Sequence, residues 1–270
     1  MYIDKKQHIL RDSKITCSDG HILPIDVYIP SGLEPNSEAL LFVHGGGFIG
    51  GDKDQFSGIA AYLALSLGVV CITLQYRTGP NNPYPAAVLD CIEAADWIAK
   101  NSKKLSIDKD KICLIAGSPG ANMALLAMNH DWRAKNTNKK YQSMFYIKNF
   151  IVLNGIFSLN NLWEKNNDLH SALTLYFNGK PSKEKLNESS PIEYEYAGFD
   201  ILLLHGDVDN VVPIEECNDF IKHLGKTNTI KLIAFKNEKH AWFNDIYKQK
   251  TVLLEIEKYI EELRRRRSCH

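Results

Sequence analysis

The chain alternates short, nearly continuous apolar runs with longer amphipathic ones. Six runs read as strands: "ALLFVHG" (39–45), "GVVCITLQYR" (68–77), "KICLIAG" (111–117), "NFIVLNG" (149–155), "DILLLHG" (200–206) and "TIKLIAF" (229–235). They are short, rich in β-branched residues and apolar at successive positions, and four of them end in glycine. Strands covered by helices on both faces have this pattern. Between the runs lie helical patterns. Residues 85–100 carry Val88, Leu89, Ile92, Ala95 and Ala99 on one face, and 244–263 places Leu253, Ile256, Ile260 and Leu263 on one stripe. The alternation predicts βαβ units around a mostly parallel central sheet, an α/β fold in a single domain. The early segment 19–30 reads as an antiparallel arm at the sheet edge. Residues 157–198 interrupt the rhythm with polar and aromatic residues. An insertion of that length between strands reads as a cap or lid over a site, or as a plain surface excursion.

Composition sharpens this picture. The 270 residues hold 32 basic and 32 acidic side chains, 44 % apolar and 24 % charged residues. That is ordinary globular usage. A net charge of zero argues against a nucleic-acid partner, which calls for a basic excess. The balance is uneven along the chain, because Arg264 to Arg267 form a basic run at the C-terminus. Setting those four aside leaves 28 basic against 32 acidic residues, and 264–270 reads as a flexible appendage that the fold does not require. The six cysteines form no C-x-x-C pair and sit mostly in apolar surroundings, as reduced core thiols do. No run reaches transmembrane length, and the first residues lack the apolar core of a signal peptide. A cytoplasmic protein is expected. Nothing in the sequence sets an oligomeric state.

In an open parallel sheet, ligands sit beyond the carboxyl ends of the strands. After the first run comes "HGGGFIGGD" (44–52). Three glycines permit a tight turn that points bare N–H groups outward, where they can bind a developing oxyanion. The same run also suits a turn with no ligand. After the third comes "AGSPGAN" (116–122), with Ser118 at a strand-to-helix junction flanked by small residues. Such a serine is an exposed nucleophile, or a helix N-cap followed by Pro119 at the first helical position. After the fifth run come Asp207 and Asp209, either a histidine-orienting acid, a capped turn or a D-x-D metal pair. After the sixth comes His240, a base or a surface loop residue.

The four segments together narrow the choice. Ser118, Asp209 and His240 stand in that order, each behind its own strand, with the glycine run ahead of them. This order is the one found with G-x-S-x-G and HGGG elements in α/β-hydrolases. Over residues 19–262 the sequence resembles the α/β-hydrolase superfamily, and within it the acetyl-esterase and hormone-sensitive-lipase-like carboxylesterases. "HGGGFIGGD" resembles their oxyanion motif, 74–98 their "DYRLAPE-x-PFPAAL-x-D" stretch, "HGDVDNVVP" the approach to their acid, and "KHAWF" their "GHGF" segment.

The resemblance implies an α/β-hydrolase fold with Ser118 as nucleophile, His240 as base and Asp209, rather than Asp207, as acid. It implies Gly45, Gly46 and Gly47 as the oxyanion segment and a small ester as substrate, with no metal or organic cofactor. Phe48, Trp163, Tyr176, Phe177 and Trp242 are candidates for a substrate pocket. The chain departs from the pattern at Ala116, in place of the first glycine, and at Pro119. The residue after the nucleophile normally lends its N–H to the oxyanion, and proline has none. Three readings follow: a serine esterase for short-chain esters, a weakly active or inactive binding protein on the same fold, and a formamidase or amidase.

Overall fold

In a computed structural model we describe residues 6–166 and 169–268. Cys269 and His270, part of the expected C-terminal appendage, lie outside them. Eight strands form one sheet: β1 Gln7–Thr16, β2 Ile22–Pro30, β3 Ser37–Val43, β4 Val70–Leu74, β5 Ile107–Gly117, β6 Asn149–Leu153, β7 Asp200–Gly206 and β8 Thr229–Phe235. Their spatial order is β1-β2-β4-β3-β5-β6-β7-β8. β2 pairs antiparallel with both β1 and β4, and every other pairing is parallel. The six strands expected from apolar runs are all present, and 19–30 supplies the antiparallel arm. β1 carries no signal of that kind. It is an edge strand, mostly exposed, with a register shift between Leu10 and Ser13.

The helices are α1 Ser57–Leu67, α2 Ala86–Lys100, α3 Pro119–Met128, α4 His130–Asn136, α5 Lys139–Gln142, α6 Leu159–Lys165, α7 His170–Tyr176, α8 Lys183–Glu188, α9 Glu215–Leu224 and α10 Gln249–Ser268. Strand side chains alternate between two cores. Leu41, Val43, Leu114, Ala116, Val152 and Leu203 face α2, α3 and the insertion. Leu40, Phe42, Ile115, Ile151, Leu202 and Leu204 face α1 and α10. Burial on both faces is why these strands read as continuous apolar runs. Arg77 pairs with buried Asp90 of α2 and with Asp19 at the sheet edge. No helix among the described residues is long and apolar enough to cross a membrane.

One expectation changes. The basic run is not an appendage through Ser268: Arg264–Ser268 complete α10. Arg264 and Arg267 each hold one carboxylate oxygen of Glu38, at 2.5 and 2.7 Å, and Arg266 pairs with Asp200. Cations in the last turn also suit the helix dipole. The insertion, in turn, is helical, contributing α6, α7 and α8 between β6 and β7. It is fastened to the body. Tyr84 N–H donates to Tyr176 O at 2.8 Å, and Asn122 Nδ2 donates to Ser189 O at 3.0 Å. A Cβ on Gly79 would sit only 3.0 Å from the Tyr176 Cα, so α7 approaches that loop as closely as a glycine permits.

Candidate active site

The residues beyond the carboxyl ends of β3, β5, β6, β7 and β8 converge. Ser118 follows β5 directly and caps α3, with φ +49° and ψ −122°. A non-glycine residue in that region is strained and persists only where its surroundings fix it. Those surroundings are close. Ser118 N–H donates to Leu153 O at 2.8 Å. A Cβ on Gly120 would fall 2.4 Å from His44 O and 2.5 Å from Val43 O, so only glycine lets α3 start this near β3. Gly117 fits between the rings of Phe56 and Phe243. Pro119 occupies the first helical position, where its missing N–H costs the helix nothing.

Ser118 Oγ lies 2.9 Å from His240 Nε2, and His240 Nδ1 lies 2.7 Å from Asp209 Oδ2. A carboxylate only accepts, so Nδ1 carries the hydrogen and Nε2 is left to accept from the Ser118 hydroxyl. Asp209 is buried, and its other oxygen accepts from the N–H groups of Val211 and Val212, both at 2.9 Å. Burial alone would raise its pKa. The hydrogen bonds from His205, His240 and the Val212 N–H outweigh burial and hold the carboxyl well below the usual range. Asp207, by contrast, is exposed and accepts from Asn237 N–H at 2.6 Å in a turn, so the two aspartates do not face one site.

The glycine run folds against itself. Gly46 has φ +126°, and a Cβ there would lie 2.1 Å from Gly50 O. His44 stacks on Tyr76 with ring centroids 4.0 Å apart, and its Nδ1 donates to Gly45 O at 2.6 Å. Burial lowers its pKa to about 4, so it is a neutral prop for the loop. Gly45 runs beside Ser118, yet its N–H already donates to Gln55 Oε1 at 2.6 Å. Among the described residues, the N–H groups of Gly46 and Gly47 have no acceptor. The free pair in this segment is therefore Gly46 and Gly47, and the expected donor Gly45 is occupied.

The candidate pocket residues divide differently from expectation. Phe48 and Tyr176 are almost fully buried and pack on each other at 4.6 Å, as core between the glycine run and α7. Phe177 is half-buried against Tyr84 and Tyr176, and Trp163 stacks on His170 at 4.0 Å. Trp242 belongs to the core on the α10 side, between Phe235 and Phe243, and does not line a pocket with the insertion. Its size and apolarity, which suggested a pocket, are satisfied by packing.

Three residues at the site were not singled out for it in the sequence. Gln55 pins Gly45. His205, at the end of β7, has Nε2 at 2.8 Å from Val212 O and 3.4 Å from Asp209 Oδ2, with Cys217 Sγ at 3.2 Å from Nδ1. Asn154 touches both Asp209 and the His240 loop. Its signal was present, since it stands directly after β6 in "VLNG".

Known proteins share this architecture. An esterase from Pyrobaculum calidifontis matches with a TM-score of 0.79 at 20 % identity, over 95 % of this chain and 86 % of that one. The native Est2 esterase from Thermogutta terrifontis matches with a TM-score of 0.73 at 25 % identity, over 94 % and 92 %. Among curated relatives, ethyl acetate hydrolase of Pseudomonas putida is 32 % identical over 122 residues, which is 44 % of this chain and 38 % of that protein. Arylesterase of Saccharolobus solfataricus is 36 % identical over 113 residues, 42 % of this chain and 36 % of that protein. The matched segment thus spans less than two fifths of either relative. The BD-FAE family model matches residues 25–224, most of the chain and all of the sheet from β3 to β7, and this α/β-hydrolase-fold protein therefore belongs to the BD-FAE family.

Proposed function

We propose that the protein is a serine hydrolase that cleaves small carboxylic esters with short acyl groups. The observation that carries this reading is the continuous hydrogen-bonded series Ser118–His240–Asp209, at 2.9 and 2.7 Å. Relatives named for ester hydrolysis support it. Ser118 Oγ attacks the acyl carbonyl while His240 Nε2 takes its proton, and Asp209 stabilises the imidazolium that forms. The oxyanion is met by the N–H groups of Gly46 and Gly47. His240 then returns the proton to the departing alcohol, which leaves an acyl-Ser118. Water, deprotonated by His240, attacks that ester and frees the acid. The residues named supply every proton transfer, so the steps call for no cofactor. The insertion 157–198 serves as a fixed cover beside the site, tied down at Tyr176 and Ser189. Among the described residues, five buried, unpaired cysteines suit work in a reducing compartment, the cytoplasm.

The experiment is release of p-nitrophenol from p-nitrophenyl acetate by wild type and Ser118→Ala. Turnover lost in the variant supports the reading, and equal rates refute it.

Pro119 favours one further reading. With no N–H at position 119, turnover is slow and ligand binding dominates, because one missing oxyanion donor costs about 10²–10³ in rate. Tight binding of a product carboxylate without detectable hydrolysis supports this second reading. An amide or formamide as substrate would use the same three residues but asks more of the oxyanion site, which Pro119 has weakened.

A further inference from the structure

We propose that Asn154 is a positioning residue that sets the acid and the base of this site together through one side-chain amide. The inference rests on reading Asp209 and His240 as acid and base. Asn154 stands at the end of β6 with φ +49°, a left-handed conformation that asparagine tolerates better than most residues. Its side chain is completely buried. Nδ2 donates to Asp209 Oδ2 at 2.5 Å, and Oδ1 accepts the N–H of Ala241 at 3.2 Å. Its own N–H donates to Leu204 O at 3.0 Å, which ties the end of β6 to β7.

Three loops are joined at this point. Asp209 comes from the loop after β7, and Ala241 follows His240 in the loop after β8. Ala241 itself has φ +55°, so its N–H direction is set by an unusual backbone turn that the Asn154 carbonyl holds. The two ends of the amide are not interchangeable. Only an NH₂ can donate to the carboxylate, and only a C=O can accept from Ala241. His240 and Asn154 hold Oδ2, with His205 Nε2 3.4 Å from the same oxygen, and Val211 and Val212 hold Oδ1. The carboxylate has no freedom to rotate away from His240. The titratable groups facing Asp209 are His240 from the loop after β8 and His205 on β7, with Cys217 of α9 behind His205.

Asn154→Asp keeps the shape and replaces the donor with an acid. While that acid holds its proton, it can still donate to Asp209. Once the proton leaves, two carboxylates face each other and the arrangement fails. The test compares wild type, Asn154→Asp, Asn154→Ser and Ser118→Ala by two readouts. One is the pH dependence of kcat/KM for p-nitrophenyl acetate. The other is the low-field proton NMR line of His240 Nδ1–H, which needs no turnover.

Asn154→Asp is expected to gain an alkaline limb absent from wild type, with kcat/KM falling roughly 10- to 100-fold across it, the range for losing one hydrogen bond to a charged group. The His240 line moves or vanishes over the same pH range. Asn154→Ser, too short to span both partners, loses about tenfold in kcat with KM little changed. A wild-type pH profile together with an unmoved His240 line in Asn154→Asp overturns the proposal. Should that variant not fold, an unmoved line and unchanged kcat in Asn154→Ser overturn it instead. Ser118→Ala separates the two ideas. If it retains turnover, the hydrolase reading falls, and the His240 line in the Asn154 variants alone decides the role of Asn154.

Discussion

Gly45 donates its N–H to the side-chain oxygen of Gln55 at 2.6 Å, although Gly45 is the glycine of the run that lies against Ser118. The bond fixes where the run starts and leaves the next two amides free. Gln55→Leu keeps the bulk and removes the acceptor. A part-buried N–H left unpaired costs about 1–3 kcal/mol. The variant is expected to melt at lower temperature and to lose about tenfold in kcat for p-nitrophenyl acetate, as Gly46 and Gly47 lose their register. An unchanged melting temperature together with unchanged kcat would show that the loop holds its shape without Gln55.

Pro119 makes the sharpest kinetic prediction. Pro119→Ala restores an N–H at the first position of α3, directly after Ser118. If two amides now meet the oxyanion, a third raises kcat by about 10²-fold. Stability changes by at most about 1 kcal/mol, since proline at this position mainly stiffens the unfolded chain. Matched kinetics and thermal melts of the two proteins check both statements. A kcat that does not rise means that Gly46 and Gly47 already suffice, or that the new N–H points elsewhere.

The strands from β3 to β7 were plain in the sequence because helices cover both faces, which forces apolar residues at successive positions, while the other edge strand, β8, kept an apolar run although it is only half-buried. β1 was not, because an exposed edge strand needs no apolar pattern. Ser118, Asp209 and His240 could be picked out because each follows a strand and their order is informative. Gln55 and Asn154 could not be assigned partners, because their roles rest on which backbone N–H each amide meets, and that is a property of loop geometry. The aromatic residues misled for a related reason. Tyr176 and Trp242 have the size and apolarity of pocket residues and of core residues alike, and burial decided for the core.

Asp209 links the site to acid stability. Its carboxyl is held below the ordinary range, so the folded protein takes up that proton less readily than the unfolded chain. The resulting stabilisation is fully present above the unfolded value, about pH 3.9. It is lost as pH falls through the lower folded value. Asp209→Asn removes the titrating group. The stability difference between wild type and Asp209→Asn is expected to be constant above about pH 5 and to shrink below pH 4. Denaturant melts from pH 6 to pH 2.5 measure it, and a difference that stays flat throughout contradicts the assignment. At neutral pH the same variant is expected to lose on the order of 10⁴ in kcat, because an amide can hold His240 in the wrong tautomer.

The basic C-terminal run yields a prediction opposite to the one its sequence suggested. Glu38 is the second residue of β3, the strand that delivers His44 and the glycine run, and its side chain is only 10 % exposed. Both of its oxygens are held by arginines near the C-terminal end of α10, and Arg264 also donates to Leu67 O at 2.9 Å. Truncation after Leu263 strips the carboxylate of both partners and leaves the Leu67 carbonyl unmatched. The arginines are themselves 38 % and 28 % exposed, so solvent and salt weaken each pair. The net cost is about 1–3 kcal/mol, which lowers the melting temperature by roughly 2–4 °C per kcal/mol for a chain of this size. Because the contact lies at the amino end of β3 and the site at its carboxyl end, kcat at 25 °C is expected to stay near wild type. Glu38→Gln in the truncated protein should then recover part of the loss, since a neutral amide is easier to leave without a cation than a carboxylate. A truncated protein that melts with wild type would return the run to the status of an appendage.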